Sequence, residues 1–228
     1  MFEYNNGDIQ FQINEFKEVC YVSLWSEFML SQMPYKLDNM IVCDYGAGTG
    51  VLSVAAALKN AASVISIEKV SEFRNLMKSN FNKNSVNHRI SIFESSHYVS
   101  KKKNFQYVFC NPACYPSIIG DLDFYHGGKT GMDMIDEVVL FASEGLSETG
   151  HLLMLISSVL PISILYENLK KVKLNANIIN STLVPLRTHL SDVIKQYVDY
   201  NSKDYPEMHY VEKKDILFEE VYLYDIQF

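Results

Sequence analysis

Two stretches of this 228-residue chain carry residue types at spacings that could do chemistry. The first is Cys43-Asp44-Tyr45-Gly46-Ala47-Gly48-Thr49-Gly50, which closes a short apolar run (Met40, Ile41, Val42) and opens a run that reads as a helix. Glycines at alternate positions leave no side chain between backbone and ligand. They also permit a sharp strand-to-helix turn that aims free amide groups at a polar guest. That is the chemistry of a small-molecule cofactor site. A glycine-rich turn alone also occurs as a plain connecting loop. Here a strand precedes it, a helix follows, and Glu68 stands at the end of the next strand, Ser63-Val64-Ile65-Ser66-Ile67.

The second stretch, Phe109-Cys110-Asn111-Pro112-Ala113-Cys114-Tyr115-Pro116, ends the fourth strand. In an open parallel sheet the carboxyl end of the fourth strand lies beside that of the first, across the switch point where ligands bind. Two motifs distant in sequence are therefore expected to face one pocket. Asn-Pro is also a common turn initiator, but this one falls at the mouth of a central strand. Cys114 is a poor nucleophile, since no cationic residue close by in sequence lowers its pKa.

The glycine spacing separates two kinds of ligand. Dinucleotide-binding folds use G-x-G-x-x-G to set a helix N-terminus against a pyrophosphate. In this chain the third glycine comes one place early, and Val51 stands where that pattern wants glycine. Asp44 ahead of the first glycine would repel a phosphate but suits a ligand carrying an ammonium group. The arrangement D-x-G-x-G-x-G resembles the first motif of class I S-adenosylmethionine-dependent methyltransferases, with every defining position filled. The resemblance implies that the turn of Asp44, Tyr45, Gly46, Ala47, Gly48 and Gly50 wraps the methionine part of the cofactor. It implies too that Glu68 accepts hydrogen bonds from both ribose hydroxyls. Where that family usually has an acid reading the adenine amino group, after the third strand Ile90 to Phe93, this chain offers Ser96.

The segment at Asn111 resembles the N-P-P-Y signature of methyltransferases that act on planar nitrogen, such as a glutamine side-chain amide or an exocyclic base amine. The resemblance implies that the Asn111 carbonyl and the Pro112 backbone carbonyl accept the hydrogens of the target nitrogen while an aromatic ring stacks on the planar group. Acceleration would then come mostly from positioning and desolvation, with no strong general base. Asn111 and Pro112 match, Ala113 and Cys114 replace the second proline and the aromatic, and Tyr115 stands one residue late. Three outcomes follow from that departure: Tyr115 swings in to stack, Cys114 accommodates a different acceptor, or transfer is weakened. Downstream, His126-Gly127-Gly128-Lys129-Thr130-Gly131-Met132-Asp133 resembles the G-G-x-x-G-L-D segment of the same enzymes, with Gly128, Gly131 and Asp133 matching. Its glycines permit a loop over the pocket, and Asp133 can cap the helix that follows.

The elements that must position these residues follow in order. Phe16, Val19, Cys20, Leu24 and Phe28 recur at helical spacing, predicting an amphipathic helix from Glu15 to Leu30 within an N-terminal helical cover over residues 1–37. Its aromatic residues could close over cofactor or substrate, but a stripe of this width is what ordinary packing against a sheet needs. After the turn, Val51, Val54, Ala55 and Leu58 mark a helix, and Phe73, Leu76 and Met77 mark another whose Arg74, Lys78 and Lys83 face solvent. A helix near Ile162 to Lys171 and strands at Ala176 to Leu183 and Ile216 to Tyr224 complete the order. Between the last two strands lies a long insertion, residues 185–214. Leu190, Val193, Ile194, Tyr197 and Val198 give it a helix of its own, capped by Thr188 or Ser191. Long ordered insertions are usually functional or interaction surfaces, so this one is expected to shape substrate choice or a homodimer contact.

Composition fits one such α/β domain across residues 1–228, since the chain is long enough to bury a substantial core. The net charge of −7, from 27 acidic and 20 basic residues, leaves no strong electrostatic footprint for a nucleic acid. The lysine run Lys101–Lys103 is too short to change that. Cys20, Cys43, Cys110 and Cys114 are scattered, and the six histidines do not cluster with them at metal-ligand spacing. No signal peptide or membrane-spanning run is evident, so a cytoplasmic protein with reduced thiols and no membrane partner is expected.

The expectation is a Rossmann-like, doubly wound seven-stranded sheet, mostly parallel with the last strand antiparallel. The implied function is S-adenosylmethionine-dependent N-methyl transfer to a planar amide or amine nitrogen of a protein or small-molecule acceptor. Two alternatives stand beside it: adenine N-methylation of a nucleic acid, and a noncatalytic S-adenosylmethionine-binding subunit.

Overall fold

The computed structural model describes residues 1–16, 20–99, 104–117 and 127–228, and at position 189 the backbone alone. Val19, Lys101–Lys103 and His126 lie outside the described residues. The chain divides into two compact units, Met1–Asn111 with Glu144–Leu153, and Pro112–Ser143 with Met154–Phe228.

The first unit holds β1 (Phe2–Asn5), β2 (Gln10–Ile13), α1 (Leu24–Gln32), β3 (Ile41–Tyr45), α2 (Val51–Leu58), β4 (Ser63–Ile67), α3 (Ser71–Lys83), β5 (Ile90–Phe93) and β6 (Phe105–Cys110). β3 pairs in parallel with β4 and β6, and β4 in parallel with β5. Val42, Cys43, Val64 and Ile65 are wholly buried although successive strand residues face opposite ways. A parallel sheet covered on both faces requires that pattern. In α2 the buried run Val51–Ala57 includes Ala55, Ala56 and Ala57, small enough for close approach to the sheet.

The helical cover expected over residues 1–37 is in part a β-hairpin, β1–β2, paired from Phe2↔Ile13 to Asn5↔Gln10. Its turn holds Asn6-Gly7, with Gly7 at φ +88°, a hairpin signal flanked by the alternating Phe2, Tyr4, Phe11 and Ile13. The helix expected from Glu15 begins only at Leu24, where the Ser23 hydroxyl accepts the Ser26 amide at 3.2 Å. Upstream, Phe16 and Cys20 exchange two backbone hydrogen bonds of 2.8 Å, an antiparallel bridge rather than helical pairing at those two residues.

The second unit contains most of α4 (Asp133–Gly145), the end of β7 (Leu146–Ser157), α5 (Ile162–Val172), β8 (Asn175–Pro185), α6 (Thr188–Asn201), β9 (Val211–Lys213) and β10 (Ile216–Gln227). β7 passes from the first unit into the second, and the pairing order β5-β4-β3-β6-β7-β10-β8 runs through seven strands, with β9 attached to β10. β10, the last strand, runs antiparallel to β8. The insertion does contain a helix, α6, but its cap is Arg187 and no side chain caps it. The Ser191 hydroxyl instead bonds back to the Arg187 carbonyl at 3.1 Å. Leu190, Ile194 and Val198 of α6 join Val159, Leu186, Met208 and Leu217 in one buried cluster.

Candidate functional site

Strand register gathers the cofactor residues expected from the sequence in the first unit. Tyr45 is opposite Ile67 and opposite Cys110, and Ile67 is opposite Phe93. One residue beyond that row come Gly46, Glu68, Asn111 and Glu94, so chain-distant residues meet along one carboxyl edge. Ser96 follows on a short 3₁₀ turn, Ser96–Tyr98, held by the Ser95 hydroxyl on the His97 amide at 3.2 Å.

The turn amides point inward. Gly46 and Ala47 donate to the Ile67 carbonyl at 2.9 and 3.0 Å, and Gly50 donates to Ala47 at 2.7 Å. Gly48 donates to Glu68 Oε2 at 2.9 Å. The free amides expected from the sequence are thus committed to shaping the loop. Gly46, Gly48 and Gly50 have φ of +73°, +53° and +76°, a region side chains disfavour. At Gly50 a Cβ would also stand 2.6 Å from the Phe81 ring, so close packing requires glycine there. At Gly48, among the described residues, a Cβ would meet only Cys20 Sγ, at 3.7 Å, and no overlap with them explains that glycine. Its bare backbone suits close approach by a ligand.

Two buried acids frame the turn. Asp44 is 2% exposed, and its Oδ2 accepts both the Ser53 amide at 2.9 Å and the Ser53 hydroxyl at 2.6 Å. Ser53 also meets Ser66 Oγ at 2.7 Å. Asp44 thereby caps the first turn of α2, where Gly50 has no side chain to do so. Burial pushes its carboxyl up to about 7, against the opposing Ser53 hydrogen bonds and with a further push from Glu68. Glu68 accepts the Gly48 amide on one oxygen and the Val70 amide, at 2.8 Å, on the other. Burial raises its pKa as well, despite those amides and the nearby Lys69 and Arg74. Arg74, expected in solvent, donates to the Glu68 and Lys69 carbonyls at 2.9 and 2.7 Å and fixes that backbone.

Asn111 donates from Nδ2 to Ser26 Oγ of α1 at 3.0 Å. Neither Ser26, Ser53 nor Arg74 carries a motif that singles it out in sequence; only the packed fold reveals their partners.

The second unit holds the rest of the N-P segment. Pro112 and Cys114 are buried, and the Ala113 amide meets Met134 Sδ at 3.3 Å. Burial, then Glu219, pushes the Cys114 thiol well up, which keeps it protonated and a poor nucleophile. Tyr115 donates to Glu219 Oε1 at 2.8 Å, and Ser157 donates to Oε2 at 2.6 Å. The glycine loop clamps this segment. Gly127 donates to the Tyr115 carbonyl and Gly128 accepts from Ser117, both at 2.8 Å. A Cβ on Gly131 would overlap the Cys114 carbonyl, and one on Gly128 the Asp133 carboxylate. Among the described residues no group of three or more His, Cys, Asp or Glu is placed to hold a metal ion. No helix among them is long and apolar enough to cross a membrane.

S-adenosylmethionine fits the residues of the first unit. Each Glu68 oxygen takes one amide and keeps acceptor capacity, which suits a ribose diol. Two buried carboxyls, of which Glu68 further raises Asp44, suit a ligand carrying positive charge, as a sulfonium and an ammonium do. The alternating sequence of strands and helices, the glycine turn after β3 and the acid after β4 define a Rossmann-like S-adenosylmethionine-dependent methyltransferase. Residues 22–182 match the family described as methyltransferase small domain, and the chain belongs to that family.

Among curated proteins, a candidate protein N5-glutamine methyltransferase of Methanocaldococcus jannaschii is 30% identical over 129 residues, covering 54% of this chain and 64% of that protein. A ribosomal protein L11 methyltransferase of Prochlorococcus marinus is 34% identical over 86 residues, covering 33% of this chain and 28% of that one. The chain thus spans less than two thirds of either relative. Among solved structures, a precorrin-6y C5,15-methyltransferase of Geobacter metallireducens aligns with TM-score 0.58 at 12% identity, covering 95% of this chain and 94% of that one. The tRNA m1G37 methyltransferase of M. jannaschii gives 0.58 at 15% identity, covering 99% and 56%. At such identities these two speak for the fold.

Proposed function

We propose that the protein transfers a methyl group to a planar nitrogen, with the side-chain amide of a glutamine as the leading acceptor, in a protein or small molecule. The observation that carries this reading is the place of Asn111, one residue past β6 and level with the glycine turn, its Nδ2 engaged by Ser26 and its carbonyl left to accept. The M. jannaschii relative's assignment to glutamine points the same way.

S-adenosylmethionine supplies a methyl carbon on a sulfonium: the acceptor nitrogen's lone pair forms the new C–N bond, the C–S pair stays on sulfur, and one proton leaves to solvent. The chain's part is orientation. Asn111 Oδ1 and the Pro112 carbonyl, next in sequence, accept the two hydrogens of the target nitrogen and so direct its lone pair. Glu68 would hold the ribose, and the Gly48 backbone would face the cofactor. Ser96 would bond the adenine amino group. Tyr45 and Ala47 form the turn's walls.

The test is a transfer assay with methyl-labelled S-adenosylmethionine and, in separate reactions, a glutamine-containing peptide, its glutamate counterpart, and adenine-containing DNA and RNA. Label in the glutamine peptide alone is the expected result. Label in nucleic acid alone would overturn the amide reading in favour of a base amine.

A further inference from the structure

The first helix has a face with no assigned task beyond packing, and one residue on it reaches the reacting centre. Ser26 lies at the third position of α1, 8% exposed, and its Oγ is 3.0 Å from Asn111 Nδ2, a contact spanning 85 positions of sequence. Ser26 is itself fixed. Its amide donates to Ser23 Oγ at 3.2 Å and the two hydroxyls are 3.3 Å apart, so the N-cap of α1 anchors the group that meets Asn111.

A carboxamide can turn over about its terminal bond, exchanging carbonyl and NH2 with little change of shape. Only one of those two arrangements gives the acceptor nitrogen a partner for its hydrogens; the other sets NH2 against NH2. The Ser26 hydroxyl selects the productive one by spending its own proton on Ser23 Oγ, 3.3 Å away: with only lone pairs left to offer, Ser26 Oγ takes Nδ2 as donor and leaves Oδ1 directed away from α1.

We propose that Ser26 is a positioning residue: it holds the Asn111 carboxamide in the orientation that presents Oδ1 to the acceptor nitrogen. The proposal rests on the reading of Asn111 given above. Ser26 touches neither cofactor nor acceptor in this account, and acts through Asn111 alone. Its effect therefore belongs to kcat, because a misturned amide leaves cofactor binding intact and spoils the geometry of transfer.

The test uses the full chain as wild type, Ser26→Ala and Ser26→Thr, labelled with nitrogen-15 at asparagine. The Asn111 side-chain NH2 is assigned by its disappearance in Asn111→Asp. In the wild type the Asn111 NH2 protons are expected to exchange with solvent at unequal rates, the one on Ser26 slowed about tenfold. Ser26→Ala should equalise them and Ser26→Thr should restore the difference. In the transfer assay with the glutamine peptide, Ser26→Ala should lower kcat about tenfold with cofactor affinity unchanged, and Ser26→Thr should recover most of it. An unaltered NH2 pattern in Ser26→Ala overturns the proposal, and so does an unaltered kcat. If the wild type does not methylate the peptide, the acceptor reading fails, and the NH2 pattern still decides whether Ser26 sets the amide.

Discussion

The phenol of Tyr115 donates to Oε1 of Glu219, 2.8 Å away, joining the N-P segment to the final strand. Glu219 is 1% exposed, and its second oxygen takes the Ser157 hydroxyl at 2.6 Å. A carboxylate in such a place is tolerable only while its oxygens are hydrogen-bonded. Tyr115→Phe keeps the ring and removes one of those donors. Its expected cost is about 1.5 to 3 kcal/mol of stability, the range for a hydrogen bond to a charged group. Urea denaturation of both forms at one pH measures it. An unchanged midpoint would show that Glu219 does not depend on Tyr115.

Asp44 makes stability depend on pH in an unusual direction for a carboxylate. Burial lifts its folded-state pKa from 3.8 to about 7, so between those values the folded chain holds a proton that the unfolded chain has lost. Unfolding there releases a proton, and stability must fall as pH rises from about 4 to about 7, then level off. Glu68, also raised by burial, adds a slope of the same sign. Asp44→Asn should make the fall shallower while leaving the Glu68 part. Denaturant midpoints at intervals from pH 4.5 to 8 test this, and a wild-type curve that climbs over the range would refute it.

These two acids also mark how far the sequence could be read. The order of strands and helices, the glycine turn and Glu68 were legible because each rests on local pattern: apolar runs, glycine spacing, an acid at a strand end. Asp44 was legible as part of the glycine turn but not as a cap, since its partner Ser53 is chosen by the way α2 folds back over β3. The helix expected from Glu15 was placed too early because Phe16 and Cys20 imitate helical spacing while their backbones pair in an antiparallel bridge. Tyr115 stood out through its signature, whereas Glu219 sits in an alternating strand where nothing local tells an inward acid from an outward one. Long-range partners of polar side chains are a property of the packed chain, and a single sequence does not display them.

Gly48 and Gly50 should separate under the same substitution. Gly50→Ala sets a methyl 2.6 Å from the Phe81 ring and 3.2 Å from Met77 Cγ, on a backbone already at φ +76°. Strain and overpacking together predict a loss of about 2 to 4 kcal/mol of stability. Among the described residues Gly48→Ala meets only Cys20 Sγ, at 3.7 Å, so it should cost about 1 kcal/mol from φ alone. Its larger effect should fall on S-adenosylmethionine affinity, because the methyl covers backbone that is proposed to face the ligand. Thermal denaturation and calorimetric titration of both variants give the two numbers. Equal stability losses would contradict the packing account, and full cofactor affinity in Gly48→Ala would contradict the ligand account.

Glu68 braces the fold with the same carboxylate that is proposed to bind the ribose, and its replacement must be read against both. Its oxygens hold the Gly48 and Val70 amides, and the ribose hydroxyls would share them. Glu68→Ala removes everything at once and is expected to lower cofactor affinity by about 1.5 to 3 kcal/mol, with a stability loss from two amides left without acceptors. Glu68→Gln isolates the charge. It keeps one carbonyl oxygen, so one amide stays bonded, while its NH2 opposes the other amide as donor against donor. If the carboxylate serves the ligand as well as the loop, the glutamine variant should bind S-adenosylmethionine more weakly by a margin larger than its stability deficit alone explains. Titration with S-adenosylhomocysteine, which lacks the sulfonium charge, then separates the two contributions. A loss common to both ligands points to the ribose hydrogen bonds, and a loss confined to S-adenosylmethionine points to the attraction between an acid and a cation. Undiminished affinity for both would remove Glu68 from the ligand's contacts and leave it as the brace of the glycine turn.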